Sequence, residues 1–174
     1  MTIGCGTAKN EEKAMEMMKE ATGIEIYKKE FTNQANWYSK AIVTYAQMLS
    51  SKGQKDEANK YFKAAISLDK DSDGDSFYQY AKFLEKNGDE EAAIKYYKKA
   101  DKRGNLNAVN DLAILLLSRN KGKPSKEDIE KAVQQLKSAS ERKQPVASSN
   151  YGKILFYGQY GQRKDKVKAV ELFK

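Results

Sequence analysis

The sequence predicts an all-α protein in which pairs of antiparallel helices follow one another along the chain. The first observation behind this prediction is an internal repeat, because the segment around Tyr45 recurs 35 residues later around Tyr80. A period near this length that contains two helices is typical of helical solenoids. The second observation is the composition: only 2 of the 174 residues are proline, and the many Ala, Lys, Glu and Leu residues favour helix.

The first helix of each repeat carries a short apolar stripe. Its residues occupy positions i, i+1 and i+4, which lie on one face of a helix. The alanine in each stripe is small enough to let two helices approach closely. A glycine follows each stripe, at Gly53 and at Gly88, where a left-handed helix end favours a residue without a side chain. The stripes are Tyr45, Ala46 and Leu49 in one repeat and Tyr80, Ala81 and Leu84 in the next.

The second helix of each repeat is predicted from apolar residues at positions i, i+3, i+4 and i+7. We expect its small residues to face the first helix and its aromatic residues to fill the gap to the next unit. The two sets are Ala58, Tyr61, Phe62 and Ala65, and then Ala93, Tyr96, Tyr97 and Ala100.

Further copies with altered spacing extend the pattern in both directions. We therefore predict one helical repeat domain over residues 11–174, preceded by a flexible N-terminal segment over residues 1–10. Within the domain, the sequence predicts a partial first unit, full units near 36–70, 74–104 and 105–143, and a truncated last unit over 145–174.

The 35-residue units resemble tetratricopeptide repeats, and the last unit is similar to a Sel1 repeat, a relative with a longer loop between its helices. The Sel1 likeness rests on Ala147, Tyr151-Gly152, Leu155, Gly158, Gly161, Asp165, Lys168-Ala169 and Leu172-Phe173. One extra residue between Gly158 and Gly161 departs from the usual loop spacing. The resemblance implies a right-handed superhelix of helix pairs, a concave face lined by first helices, and a scaffolding role.

The residue types that many enzymes need at neutral pH are missing from the sequence. It contains no histidine, which excludes Ser-His-Asp and Cys-His catalysis. Its single cysteine, Cys5, excludes an internal disulfide and a cysteine-based zinc site. The segment Gly4-Cys5-Gly6 lacks the Lys-Ser/Thr of a nucleotide-binding loop. We therefore predict a non-catalytic protein without a cofactor.

One acidic segment matches the first half of a calcium-binding loop. Asp69, Asp71 and Asp73 occupy alternate positions before Gly74, as the first ligands of such a loop do. The second half does not match, because Tyr80 stands where a bidentate glutamate belongs. The segment also fits a turn between two repeats, whose Asp and Ser side chains cap the next helix. We adopt the turn and keep the three aspartates as calcium candidates only.

The register that the tetratricopeptide resemblance supplies turns one set of side chains toward the concave face. Tyrosine in this set buries area while it keeps a polar tip, and the mixture of Lys, Asn and Tyr suits a peptide with acidic residues. The set lacks the Lys and Asn pattern with which co-chaperone tetratricopeptide domains hold a C-terminal carboxylate. The predicted partner-binding residues are Gln47, Tyr78, Lys82, Asn110, Ile114, Lys153, Phe156 and Tyr157.

The formal net charge of +8 leaves an alternative function open, because basic chains can bind nucleic acid or anionic surfaces. Only four of the basic residues are arginine, the residue suited to bidentate phosphate contacts. The lysines are spread among Glu and Asp along the predicted helices, as on a solvated helix surface. A Lys-rich nucleic-acid or anionic-surface binding module is therefore the alternative to a protein-binding scaffold.

The segment Thr2-Ile3-Gly4-Cys5-Gly6 resembles the end of a bacterial lipoprotein signal, in which a small residue precedes the lipidated cysteine. The resemblance implies a lipid anchor at Cys5 and a location in the bacterial cell envelope or periplasm. Thr2 stands where leucine is usual, and no basic or apolar leader precedes it. A cytoplasmic location, with a coincidental motif, is the alternative.

Overall fold

The computed structural model describes residues 35–68 and 74–174. Each odd-numbered helix in these ranges contacts the even-numbered helix that follows it, so the helices form successive pairs. None of these helices is long and apolar enough to cross a membrane. The prediction of an all-α protein built from helix pairs is confirmed. The helices are α1 Ala35–Ser51, α2 Lys55–Leu68, α3 Asp75–Lys86, α4 Glu90–Lys102, α5 Leu106–Gly122, α6 Lys126–Glu141, α7 Pro145–Tyr157 and α8 Lys166–Leu172.

Several sequence predictions lie outside the described residues. The predicted N-terminal segment over residues 1–10, with Cys5, and the partial unit that follows it precede the first described residue. The calcium candidates Asp69, Asp71 and Asp73 fall between the two described ranges. These assignments stay predictions.

Fully buried alanines occur in the core of each helix pair. An alanine side chain lets two helix backbones approach closely, since the distance between helix axes follows the side chains at the contact. The alanines predicted for this role have no exposed surface: Ala46, Ala58, Ala65, Ala81, Ala93 and Ala100. The later pairs bury Ala113, Ala132, Ala139 and Ala169 to the same extent.

Aromatic rings connect one helix pair to the next. The centroid of the Phe62 ring in α2 lies 4.9 Å from that of Phe83 and 5.6 Å from that of Tyr80, both in α3. Tyr80 also meets Tyr96 of α4 at a centroid distance of 4.6 Å. Aromatic pairs at such distances add to the stabilisation from apolar burial. The prediction that second-helix aromatics fill the gap to the next unit therefore holds for Phe62, whereas the rings of Tyr61, Tyr96 and Tyr97 contact Tyr45, Tyr80 and Tyr78 of their own helix pair.

The helix ends follow the signals in the sequence. Gly53 and Gly88 lie just after α1 and α3 and adopt left-handed backbone angles, with φ of 80° and 84°. This is the conformation expected of a glycine that ends a helix. At the start of α4, the side chain of Asp89 caps the helix by accepting a hydrogen bond from the backbone nitrogen of Ala92. Asp165 caps α8 in the same way.

The first helices of successive units lie side by side. Helix α1 contacts α3, and α5 contacts α7, while α2, α4 and α6 each pack against the first helix of the next unit. Side-chain hydrogen bonds also join first helices, from Tyr78 of α3 to Asp111 of α5 and from Asn150 of α7 to Asn110 of α5. We call the surface formed by α1, α3, α5 and α7 the first-helix face.

Arg119, near the end of α5, joins three helices through acidic side chains. Its Nη1 lies 3.3 Å from both carboxylate oxygens of Asp128 in α6. In α4, its Nη2 donates to Glu91, and its Nε is 3.8 Å from Oε2 of Glu90. The side chain of Asp128 is only 12% exposed, so its charge depends on this arginine for compensation.

The Gly74→Ala substitution is expected to lower the free energy of unfolding by about 3 kcal/mol, from the left-handed backbone and from overpacking. Gly74 has a φ of 79°, and an added Cβ would lie 2.7 Å from the carbonyl oxygen of Ala100 and 2.8 Å from Cβ of Arg103. Gly53→Ala is the matched control, because its φ is 80° but no atom lies near the added Cβ. It should cost about 1 kcal/mol. Equal losses in urea unfolding would show that the close contact does not matter.

The Arg119→Met substitution is expected to lower the free energy of unfolding by about 3 kcal/mol, because Asp128 stays buried without a cation. Lys131→Met provides a control on the surface of α6, where Lys131 pairs with Glu127 one turn away. An exposed pair of this kind contributes no more than about 0.5 kcal/mol. Urea unfolding of both variants measures the difference, and similar small losses would contradict the role given to Arg119.

Candidate functional site

A groove crosses the first-helix face over α1, α3 and α5. Its volume is about 730 Å³. The walls are formed by side chains of three successive units, so the groove exists only because the first helices lie side by side. We call it the first-helix groove and define it by Gln47, Gln79, Lys82, Lys86, Asp111 and Ile114.

The floor of the first-helix groove is apolar and aromatic. Phe62, Phe83 and Tyr97 line it, and each of these rings is at most 8% exposed. The floor follows from the repeat itself, since these residues are the ones that join neighbouring helices. Ile114 adds an apolar side chain that is 46% exposed on one wall. A bound partner could therefore cover apolar surface here.

Two carboxylates in the groove are positioned by buried tyrosines. The hydroxyl of Tyr97 donates to Oε2 of Glu85 at 2.6 Å, and the hydroxyl of Tyr78 donates to Oδ2 of Asp111 at 2.8 Å. Burial and, after it, these hydrogen bonds raise the pKa of both phenols well above the usual value of 10.0. The phenols therefore stay protonated donors at neutral pH. Because the donors are neutral, they orient the carboxylates without cancelling their charge.

Two exposed lysines, Lys82 and Lys86, stand on α3 beside these carboxylates. Nζ of Lys82 lies 5.5 Å from the centroid of the Tyr78 ring, within the range of a cation–π contact. Neither lysine forms an ion pair with another described residue, so both ammonium groups are available to a partner. The groove thus presents both signs of charge above an apolar floor.

The structure brings together three of the predicted partner-binding residues. Gln47, Lys82 and Ile114 all line the first-helix groove, and Nε2 of Gln47 donates to Oε1 of Gln79 at 2.9 Å. They occupy equivalent positions in three successive first helices, which is why the repeat pattern in the sequence could predict that they lie on the same face. Their contact with a partner stays a prediction.

The expectation that Asn110 is exposed on the concave side is wrong, and its contact with a partner, like that of Tyr78, stays a prediction. Both Tyr78 and Asn110 are buried. They are 8% and 6% exposed. Each bridges neighbouring first helices instead: Tyr78 through Asp111, and Asn110 through Asn150, whose Nδ2 donates to Oδ1 of Asn110 at 2.7 Å. Neither residue lines the groove, but both donate hydrogen bonds to Asp111, which does.

The remaining predicted residues, Lys153, Phe156 and Tyr157, lie on α7 and do not line the first-helix groove. The Phe156 and Tyr157 rings meet edge to face at a centroid distance of 5.1 Å, and Tyr157 is 64% exposed. Nζ of Lys166 lies 5.5 Å from the centroid of the Phe156 ring. These residues form a separate exposed aromatic patch at the last unit.

Sequence reasoning missed six polar residues of the groove: Ser50, Ser51, Gln79, Glu85, Lys86 and Asp111. Helix spacing could have found them, since each lies three or four residues from Gln47, Lys82 or Ile114. Residues three apart share a helix face. Glu85 is fixed by Tyr97 of the neighbouring helix, and no pattern within α3 indicates that contact.

No group of His, Cys, Asp and Glu side chains within residues 35–68 and 74–174 could hold a metal ion. The acidic groups of the groove are instead bonded to tyrosine and asparagine side chains. The arrangement is suited to binding through charge, hydrogen bonds and apolar contact.

Two repeat profiles together match most of the chain. The tetratricopeptide repeat matches residues 31–72 and 74–103, and the Sel1 repeat matches residues 3–22, 108–143 and 145–174. The chain belongs to the tetratricopeptide and Sel1 repeat families, which confirms the resemblance in the sequence. Proteins of these families are generally protein-interaction scaffolds and are typically non-catalytic. No curated protein matches the chain significantly.

Solved structures share this fold at low sequence identity. The crystal structure of MamA has a TM-score of 0.63 and 16% identity, over 99% of this chain and 91% of that one. A Sel1 repeat protein from Oxalobacter formigenes gives 0.56 and 19%, over 91% and 67%. Pseudomonas aeruginosa pilF gives 0.51 and 16%, over 94% and 77%. At such identities the likeness establishes the fold alone.

The buried phenol of Tyr97 is expected to make the protein less stable as the pH rises above 10. Burial and the hydrogen bond to Glu85 raise its pKa in the folded state, so the unfolded phenol ionises first, near pH 10. The stability from this group is complete below pH 10 and falls above it, by up to about 1.4 kcal/mol per pH unit.

Thermal unfolding of the protein and of Tyr97→Phe between pH 8 and pH 11 measures this effect, because the substitution keeps the ring and removes the ionisable hydroxyl together with its hydrogen bond to Glu85. The melting temperature of Tyr97→Phe should fall less steeply above pH 10. Tyr157→Phe, at a position 64% exposed, should follow the unsubstituted protein. Parallel curves for all three would contradict the assignment.

Proposed function

We propose that this protein is a non-catalytic scaffold that binds a peptide or protein partner in the first-helix groove. The observation that carries the proposal is the groove itself, in which two exposed lysines and exposed Ile114 stand above buried aromatic rings. Exposed apolar surface bordered by charged side chains is typical of interaction sites. The repeat families to which the chain belongs generally serve such roles.

The dimensions of the groove support a peptide segment as the occupant. It crosses three neighbouring first helices, and the axes of packed helices lie about 8–10 Å apart. Its length is therefore about 20 Å, which roughly six residues of an extended chain would span. The volume of about 730 Å³ also falls within the range of about 300–1,000 Å³ found for ligand sites.

The charges of the groove support a protein partner over a nucleic acid. Lys82 and Lys86 favour acidic side chains, but Glu85 and Asp111 stand in the same groove and would repel a phosphate backbone. A peptide can present an acidic residue to the lysines and a donor to the carboxylates. A nucleic acid cannot vary its charge in this way.

Selection of peptides from a random display library against the folded protein tests this proposal. The enriched peptides should combine acidic and apolar residues, and the double variant Lys82→Ala/Lys86→Ala should weaken their binding by about tenfold, since two charge contacts are lost. Fluorescence anisotropy with a labelled peptide measures the affinity.

The matched control is the double variant Lys60→Ala/Lys98→Ala, which removes the same charge from exposed positions on α2 and α4. It should leave the affinity nearly unchanged. If both double variants weakened binding equally, attraction by the total charge would explain the result, and the groove would not be the site.

We also propose that Cys5 carries a lipid anchor in the bacterial cell envelope. The support is the sequence Gly4-Cys5 after Ile3, and Cys5 itself lies outside the described residues. Cells that express the complete gene can be fed an alkyne-tagged fatty acid. Labelling that Cys5→Ser abolishes would support the anchor, whereas an unlabelled protein would contradict it.

A further inference from the structure

Two carboxylates of the first-helix groove form no ion pair with another described residue. Glu85 in α3 and Asp111 in α5 both line the groove, and both are partly buried. The ion pairs in the described part of the chain all involve Arg119, Lys126 or Lys131 instead. A partly buried charge is unfavourable unless an opposite charge or hydrogen bonds compensate it. The groove therefore holds two negative charges that a cation of a partner can balance.

The two carboxylates lie close to each other. Tyr78 and Tyr97, whose hydroxyls bind Asp111 and Glu85, have ring centroids only 6.0 Å apart. Burial raises the pKa of both phenols, followed by the hydrogen bond that each donates and by the charges of both carboxylates. Each phenol thus lies near both carboxylates. Because like charges repel at short distance, one cation between Glu85 and Asp111 would be favoured by both.

The two lysines of the groove do not supply that cation. Nζ of Lys82 lies 5.5 Å from the centroid of the Tyr78 ring, and Lys82 precedes Glu85 by three residues, the less favourable order for an ion pair on a helix. Lys86 directly follows Glu85, and neighbouring residues of a helix do not face each other. Both lysines are exposed. The groove therefore keeps an anionic part that is distinct from its cationic part.

The hydrogen bonds within the protein leave acceptor positions free on both carboxylates. Oε2 of Glu85 accepts from Tyr97, and its Oε1 accepts from no described residue. Oδ2 and Oδ1 of Asp111 accept from Tyr78 and Asn110. A carboxylate has about four acceptor positions, so each group can accept further bonds from a donor in the groove. The existing bonds orient the carboxylates in advance, which lowers the cost of ordering them on binding.

We propose that the first-helix groove binds an arginine side chain of its peptide partner between Glu85 and Asp111, an inference that rests on the proposed function and names the residue that the groove selects. The guanidinium group is planar and always charged, and its fork of N–H donors can reach both carboxylates at once. The apolar stem of the arginine covers the floor beside Phe83 and Tyr97. Lysine would bind more weakly, because its ammonium group is compact and strongly hydrated.

The probes for this site are the blocked tripeptide acetyl-Leu-Arg-Leu-N-methylamide and its citrulline analogue, each titrated into the ¹⁵N-labelled full-length protein. Citrulline replaces the guanidinium group with an uncharged urea of nearly the same shape. We expect the backbone amide resonances of Glu85 and Asp111 to shift and to saturate. The arginine probe should bind about tenfold more tightly than the citrulline probe, because its hydrogen bonds to the carboxylates are charge-assisted.

The double variant Glu85→Gln/Asp111→Asn tests the two carboxylates directly. Each new amide keeps an oxygen that can accept from Tyr97 or Tyr78, so the substitutions remove the charge with little change in shape. The preference for arginine over citrulline should disappear in this variant. Because the preference compares two probes on the same protein, a general loss of stability does not produce this result.

The matched control is the double variant Asp56→Asn/Glu57→Gln, which removes the same charge from exposed positions at the start of α2. It should keep the preference of about tenfold for the arginine probe. If both double variants lost the preference, the total charge of the protein would explain the attraction, and the inference would be overturned.

The inference and the proposed function fail in different experiments. Equal binding of the two probes to the unsubstituted protein, or an absence of saturable shifts at Glu85 and Asp111, would overturn the inference alone. The proposed function is decided by the display selection and by Lys82→Ala/Lys86→Ala, which removes no carboxylate. That variant should not weaken binding of the arginine probe, since the two lysines carry the same charge as arginine.

Discussion

The whole stack depends on the short distance between the two helices of each pair, which fully buried alanines allow. Ala46 and Ala58 in the first described pair, and Ala81 and Ala93 in the second, have no exposed surface. Each second helix also packs against the next first helix, so the spacing inside one pair fixes where the following pair begins. A larger residue at one of these positions would therefore displace all later units. The groove, which needs three first helices in line, would be displaced with them.

Two kinds of contact then hold successive units together, and they differ in how strongly they depend on the relative orientation of the helices. Aromatic pairs such as Phe62 with Phe83 bury much area and tolerate small rotations. The hydrogen bond from Tyr78 to Asp111 fixes one relative position of α3 and α5, because its strength falls steeply with misalignment. Burial keeps the Tyr78 phenol protonated by raising its pKa. The contact that aligns these helices also orients a carboxylate in the groove.

The repeat could be predicted from sequence because its causes are local. Glycines at helix ends and alanines and aromatics at helical spacing act through their own backbone or their own helix face. Exposure could not be predicted in the same way. The repeat register predicts that Asn110 faces the concave side. Its amide is nevertheless enclosed, because Asn150 of the next unit and Asp111 lie within hydrogen-bond distance.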